Sequence, residues 1–169
     1  MDITKYLAKQ AKKNGICKEW HKELLTLTDK DALCEMYLRG IDFCLSNDYP
    51  NNDFIRIHFK GVMEKHGIFL DDKVSVENTP KCVCLGACSG QITIDGFNVC
   101  EVFVKHDSTL TISARGNAFV MVDVFDNSTI IVQAYDWAKV CVNRYGGTIH
   151  DCAIDDATIK IREKNKKTY

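Results

Sequence analysis

Ser108-Thr109-Leu110-Thr111-Ile112, Ala118-Phe119-Val120-Met121-Val122, Ser128-Thr129-Ile130-Ile131-Val132 and Ala138-Lys139-Val140-Cys141-Val142 are four copies of one pattern, spaced ten residues apart. The register then slips by one residue near Gly146, and Gly147-Thr148-Ile149 and Ala157-Thr158-Ile159-Lys160-Ile161 carry the pattern on. A unit this short cannot bury its own apolar side, so repetition at a fixed period predicts units stacked on one another.

Position one of each unit is small (Asn98, Ser108, Ala118, Ser128, Ala138, Gly147, Ala157), and positions three and five are aliphatic almost throughout. Alternation with period two puts positions three and five on one face of a short strand. Val104, Ala114, Val124 and Ala134 at position seven join them, while Thr111, Ser113, Asp123, Gln133 and Asn143 fall on the opposite, water-facing side. Gly96, Gly116, Asp126, Asp136 and Gly146 close the units, and Gly and Asp are residues that tolerate the positive φ of a tight corner.

Two architectures accommodate a strand plus a corner every ten residues: an antiparallel meander forming a sandwich or barrel, and a single-stranded β-helix in which each unit is half a coil. A doubled period separates them. Ser-Thr opens the units at Ser108 and Ser128, and Ala those at Ala118 and Ala138, so like residues recur after twenty and stack in ladders. A meander has no reason to do this. The expected fold class is therefore α+β, with an N-terminal helical domain followed by a short β-solenoid. The antiparallel sandwich or barrel is the alternative. Weaker units at Gly90–Ile94 and Val99–Val102 extend the array to about three to four coils, roughly 15 Å tall at ~4.8 Å per strand layer, with right-handed crossovers expected.

Before about residue 70 the period changes. Ile3, Leu7 and Ala11 lie at helical spacing and stop at Asn14-Gly15; Trp20, Leu24, Leu25 and Leu27 make a second stripe; Thr28-Asp29-Lys30-Asp31 caps a third helix running to Gly40. Asp53 is placed to cap a fourth, Phe54 to Lys65, ending at His66-Gly67, although Phe54–Phe59 also reads as an alternating strand. The expected division is 1–70 helical, 71–162 solenoid and 163–169 a charged tail. The helical part is the expected cover for one open end of the solenoid.

The chain of 169 residues is 46% hydrophobic with formal net charge −1, so no global field selects nucleic acid or an anionic membrane as partner. Lys5, Lys9, Lys12 and Lys13 read as a solvated helix face. The first thirty residues contain no uninterrupted apolar stretch, hence no expected signal peptide or membrane span, and an odd count of nine cysteines points to the reducing cytoplasm.

Few residues carry a chemical pattern. Cys82-Val83-Cys84 and Cys88 are the weak candidates for a metal site; the spacing is not that of paired zinc knuckles, and packing is preferred to metal. His21, His58, His66, His106 and His150 sit in no nucleophile or metal motif, and Asp151 breaks the aliphatic pattern where the register slips. Asp123, Asp126 and Asp136 are the carboxylates to test as a polysaccharide-cleaving set, but in a twenty-residue coil Asp123 stacks between Phe103 and Asn143, and Asp126 and Asp136 fall on opposite corners. No catalytic residue, metal or cofactor is therefore assigned. Phe125, Tyr135 and Tyr145 occupy position eight of successive units, and Phe125 and Tyr145, one coil apart, can stack as a ladder; covering the corner is the preferred reading, and with Trp137 the strip is the candidate contact for a protein partner or for self-association.

Units such as Asp126-Asn127-Ser128-Thr129-Ile130-Ile131-Val132-Gln133-Ala134-Tyr135 resemble the degenerate decapeptide repeats of uncharacterised bacterial proteins, many from gut Bacteroidetes, over about residues 88–161. The resemblance implies a β-solenoid and brings no activity. A more distant likeness is to bactofilins, cytoplasmic β-helical proteins that polymerise end to end; the chain lacks their regular Gly-rich coil motif and carries a helical domain in place of disordered tails. The expected function is a non-enzymatic protein-interaction or structural scaffold module. The alternatives are a small carbohydrate-active or sugar-binding β-helix and a bactofilin-like polymer.

Overall fold

The structure is a computed structural model that describes residues 2–169. The chain divides into two compact units: one runs to His66 and includes Thr168–Tyr169, and the other is Gly67–Lys167.

The first unit is helical. Asp2 accepts the Lys5 amide at 3.1 Å and opens α1 (Ile3–Lys13), which buries Leu7, Ala8 and Ala11, the stripe expected from the 3.6-residue period. In α2 (Lys18–Thr26) only Leu24 is buried, and Leu25 remains exposed. Asp29 accepts the Ala32 amide at 2.8 Å to start α3 (Lys30–Arg39). Gly40 ends that helix, and α4 (Ile41–Ser46), which the sequence pattern did not separate, follows at once. The segment expected as one helix from Phe54 to Lys65 is two pieces. Asn51 caps α5 (Asn52–His58), and a 3-10 turn covers Met63–His66; Gly61, at φ +86°, breaks the path between them.

The second unit is a β-solenoid. Its strands are β1 (Ile68–Leu70), β2 (Lys73–Glu77), β3 (Lys81–Leu85), β4 (Ser89–Ile94), β5 (Val99–Val104), β6 (Thr109–Ala114), β7 (Phe119–Val124), β8 (Thr129–Ala134), β9 (Lys139–Arg144), β10 (Thr148–Ala153) and β11 (Thr158–Glu163). Odd-numbered strands form one six-stranded sheet, even-numbered strands a five-stranded one, and every pairing is parallel. That excludes the antiparallel sandwich or barrel. From β3 to β9 each strand pairs with the one twenty residues away, as in Val120↔Val140 and Leu110↔Ile130, which is the ladder that the doubled period predicted; the first coil is shorter, with Ile68 on Val83 and Lys73 on Ser89.

Eleven strands make about five coils, more than the three to four expected. The early coils escaped the aliphatic pattern because Cys82 and Cys84 fill the inward row, stacked on Val102 and Val104 and fully buried. Cysteine there is a small hydrophobe. The core is one continuous column of such rows, including Ile92, Ile112, Val132 and Val102, Val122, Val142.

Corners are fixed by backbone geometry and by short hydrogen bonds. His106, Asp126 and Asp136 adopt positive φ (66°, 56° and 58°), and so do Gly86, Gly96 and Gly116. Ser108 Oγ donates to the Lys105 carbonyl and Ser128 Oγ to that of His106, each at 3.1 Å, which explains why position one must be small and why Ser recurs on this corner. The register slip is real: Thr148 pairs with Thr129, nineteen positions back rather than twenty. Gly147 makes the shorter turn possible, at φ +80° and with a Cβ position only 2.3 Å from the Ser128 carbonyl oxygen.

Candidate interaction face

Parallel stacking turns outward positions into columns. On the even-strand sheet these are Ser89, Thr109, Thr129, Thr148, and Gln91, Thr111, Ile131, His150, and Thr93, Ser113, Gln133, Cys152. This face is hydroxyl- and amide-bearing, with Ile131 its one exposed large apolar side chain. The odd-strand sheet differs. Its first outward column is Val99, Phe119, Lys139, Thr158 and its second is Glu101, Met121, Cys141, Lys160.

At the corner leading into this sheet, Phe97 and Trp137 hold the same turn position two coils apart, as the bonds Asn117 N to Gly96 O and Trp137 N to Gly116 O require. Phe97 is 86% exposed, Val99 59%, Trp137 60%, Phe119 39% and Met121 37%. Five large apolar side chains thus gather on one corner and the adjoining half of this sheet, while the third outward column, Phe103, Asp123 and Asn143, and Cys141 in the second are buried. Single exposed apolar residues are ordinary; a group of this size is not.

The aromatic residues singled out from the sequence are split between two corners. Phe125 is fully buried, and its ring stacks on Tyr145 at 4.7 Å and 14°, with the Lys105 ammonium 6.0 Å from the Phe125 ring centre. Tyr135 lies on the other corner, half-buried, under the Arg115 guanidinium at 4.5 Å. Trp137, beside it, is the one of the four that presents most of its surface to water. Phe97, Val99, Phe119 and Met121 were not singled out. Their signal was available: Phe119 and Met121 occupy positions two and four, which the alternation reserves for water-facing residues.

The carboxylates are committed to the turns. Asp126 Oδ2 accepts the His106 amide at 3.2 Å, and Asp136 Oδ2 accepts the Gly116 amide at 2.9 Å, each capping the coil below. His106 Nδ1 in turn accepts the Gly86 amide at 3.0 Å. Asp123 stacks between Phe103 and Asn143, as expected, but Asp123, Asn143 and Ser113, expected to face water, are buried; Asp123 accepts from Asn143 Nδ2 at 2.7 Å, and Asn143 Oδ1 is buried without a partner among the described residues.

Cys82 and Cys84 face the core with their sulfurs 3.7 Å apart. Hydrogen bonds to Cys82 and Cys88, then burial, hold the Cys84 thiol well above the ordinary range. Cys88 takes the place that Ser108 has one coil on, its sulfur 3.2 Å from the Leu85 carbonyl oxygen. Among the described residues no group of three or more His, Cys, Asp or Glu side chains is arranged to hold a metal ion. In the helical unit a cleft of about 80 Å³, with Tyr6, Gln10, Asn14 and Asp48 in its wall, is far below the several hundred Å³ of a small-molecule site.

The last coil has its own character. Among the described residues no strand pairs with the far edge of β10 or β11. Asp151 stands in the inward row above Val132 and is exposed, and Arg144 continues the inward row of Val104 and Val124. Arg144 donates to the Gly147 carbonyl at 2.9 Å and to Glu163 Oε1 at 3.1 Å. Inward-pointing charges of this kind are a device by which sheet edges resist pairing with another chain.

The fold defines the class: an α+β chain whose larger unit is a parallel β-solenoid. Compared with protein-family models, curated proteins and solved structures, the chain matches none. Among the described residues no helix is long and apolar enough to cross a membrane.

Proposed function

We propose that the chain is a non-enzymatic protein-interaction module: a stiff solenoid that presents the Phe97, Val99, Phe119, Met121 and Trp137 surface to another protein. The exposed apolar group carries this reading, because the other large apolar side chains that the solenoid leaves in water, Ile131, Ile154 and Ile161, lie singly, whereas these five gather on one corner and face. The polar groups that an enzyme would need are in use elsewhere. Asp126, Asp136 and His106 cap turns, and the buried thiols pack the core. Nine free cysteines, seven of them buried, fit a reducing compartment, and the cytoplasm is the location proposed.

End-to-end growth of the bactofilin kind is the weaker alternative, since Asp151, Arg144 and Glu163 at the last coil oppose strand addition there.

The test is quantitative affinity capture with the wild type and the Phe97→Ser/Trp137→Ser variant. Both positions are exposed, so the variant is expected to fold as the wild type does. Proteins, or further copies of the chain, retained by the wild type and lost by the variant support the reading. Identical capture profiles overturn it.

A further inference from the structure

We infer that the exposed half of the odd-strand face, the part bearing Val99, Glu101, Phe119, Met121 and Lys139, pairs with a second copy of itself through a two-fold axis lying in the plane of the face. The inference rests on the reading of that face as an interaction surface and names its occupant.

Area is the first argument. At ~200 Å² per aromatic side chain, the exposed fractions of Phe97, Phe119 and Trp137 with those of Val99 and Met121 come to roughly 500 Å² of apolar surface. A stable pair of standard size needs about 800 Å² from each partner, and the core of such an interface is its apolar part. The patch supplies that core, and the polar residues around it supply a rim.

Charge placement is the second argument, and it selects a second copy over a foreign protein. Lys139 lies one coil above Phe119 in the same column; Glu101 lies one coil below Met121 in the next column. With outward neighbours ~6.8 Å apart along a strand and ~4.8 Å between strands, Glu101 and Lys139 are about 12 Å apart diagonally across the patch. A two-fold axis in the face midway between them exchanges the two, so each carboxylate meets the other copy's ammonium. On this lattice the same axis passes between Phe119 and Met121, within about 2 Å of both column positions, and beside Phe97. One symmetry element therefore puts the apolar residues in the seam and opposite charges against each other at both ends, the self-complementarity that an isologous interface demands. Glu101 also pairs with Lys81 at 3.3 Å, a partly exposed contact that a second cation can share.

Sedimentation equilibrium across a wide concentration range tests this. The wild type is expected to rise from the 19.1 kDa monomer to twice that mass and to stop there. Glu101→Lys and Lys139→Glu alone each raise the dimer dissociation constant at least tenfold, and Phe119→Ser leaves a monomer. The exchanged double variant, Glu101→Lys with Lys139→Glu, returns to within about threefold of the wild type, because both ends again join opposite charges. Circular dichroism of each variant confirms folding, and any that fails is replaced by Glu101→Gln or Lys139→Gln. A monomer at every concentration, growth past the dimer, or an exchanged variant no better than its single parents overturns the pairing. None of these results touches the interaction reading, which stands or falls on the capture experiment.

Discussion

Replacing Val120 with Asp puts a carboxylate into the middle of the inward row, between Cys100 below and Val140 above, where the native side chain has no exposed surface. Two costs follow. Burying a valine contributes about 1.5–3 kcal/mol, most of which the substitution forfeits. The carboxyl must also be neutral to remain inside: burial moves such a group up by several units, and holding it protonated at pH 7 against a free value of about 3.9 costs roughly 4 kcal/mol at 1.36 kcal/mol per unit. The total, about 6 kcal/mol, is comparable to the whole stability of an ordinary domain at 5–15 kcal/mol. Urea unfolding followed by circular dichroism is therefore expected to find the solenoid unfolded, or nearly so, at pH 7. The pH dependence has a definite sign. The buried carboxyl has a raised folded-state value, so the penalty is small below pH 4 and grows as pH rises toward that value; at pH 4 the deficit shrinks to the packing loss of about 2 kcal/mol. Phe119→Asp, one residue away but outward and 39% exposed, leaves its carboxylate in water and is expected to cost only the partial packing of the ring, about 1–2 kcal/mol. The protein already contains the control: Asp151 occupies an inward row and is tolerated because water reaches the last coil. A Val120→Asp variant with the wild-type unfolding midpoint at pH 7 would refute the assignment of inward and outward rows.

Two more outcomes are expected. Burial, with the nearby Cys82 and Glu101 adding to it, pushes the Cys100 thiol up to about 12 from its free value of 9, so stability held below pH 9 is lost as pH rises through 9 toward 12; Cys100→Ala should flatten the fall in urea midpoint between pH 8 and pH 10, and an equally steep fall would show that this thiol is not responsible. At the last coil, Asp151→Val with Glu163→Leu removes inward charges from an unpaired edge, and in a Phe119→Ser background light scattering should find mass growing with concentration. A constant monomer mass would show that these charges are not what keeps the edge from pairing.

Phe125 and Tyr145 show how far the sequence reads and where it stops. A spacing of twenty residues places Phe125 and Tyr145 one coil apart, where their rings can stack, and they do, because parallel register carries like positions onto each other. The same spacing did not say that Phe125 is wholly buried. Exposure at a corner depends on neighbours far away in sequence, and no local pattern encodes them. Likewise Phe97 and Trp137 were forty residues apart in a repeat that is blurred at Phe97, so their alignment emerged only once the early coils were placed. Those coils were themselves obscured by Cys82 and Cys84, which fill aliphatic rows without looking aliphatic.

The sequence by itself determined the stacking period, the alternation of inward and outward rows, the corner residues and the one-residue slip, because each follows from local backbone geometry and from the rule that a repeating unit must bury its apolar side against the next. Only the tertiary structure decided which outward columns remain in water, that the carboxylates and His106 serve as caps for neighbouring coils, and that the apolar surplus collects beside Glu101 and Lys139 on one sheet. Those properties belong to pairs of residues twenty or more positions apart, and they come into existence when the coils close.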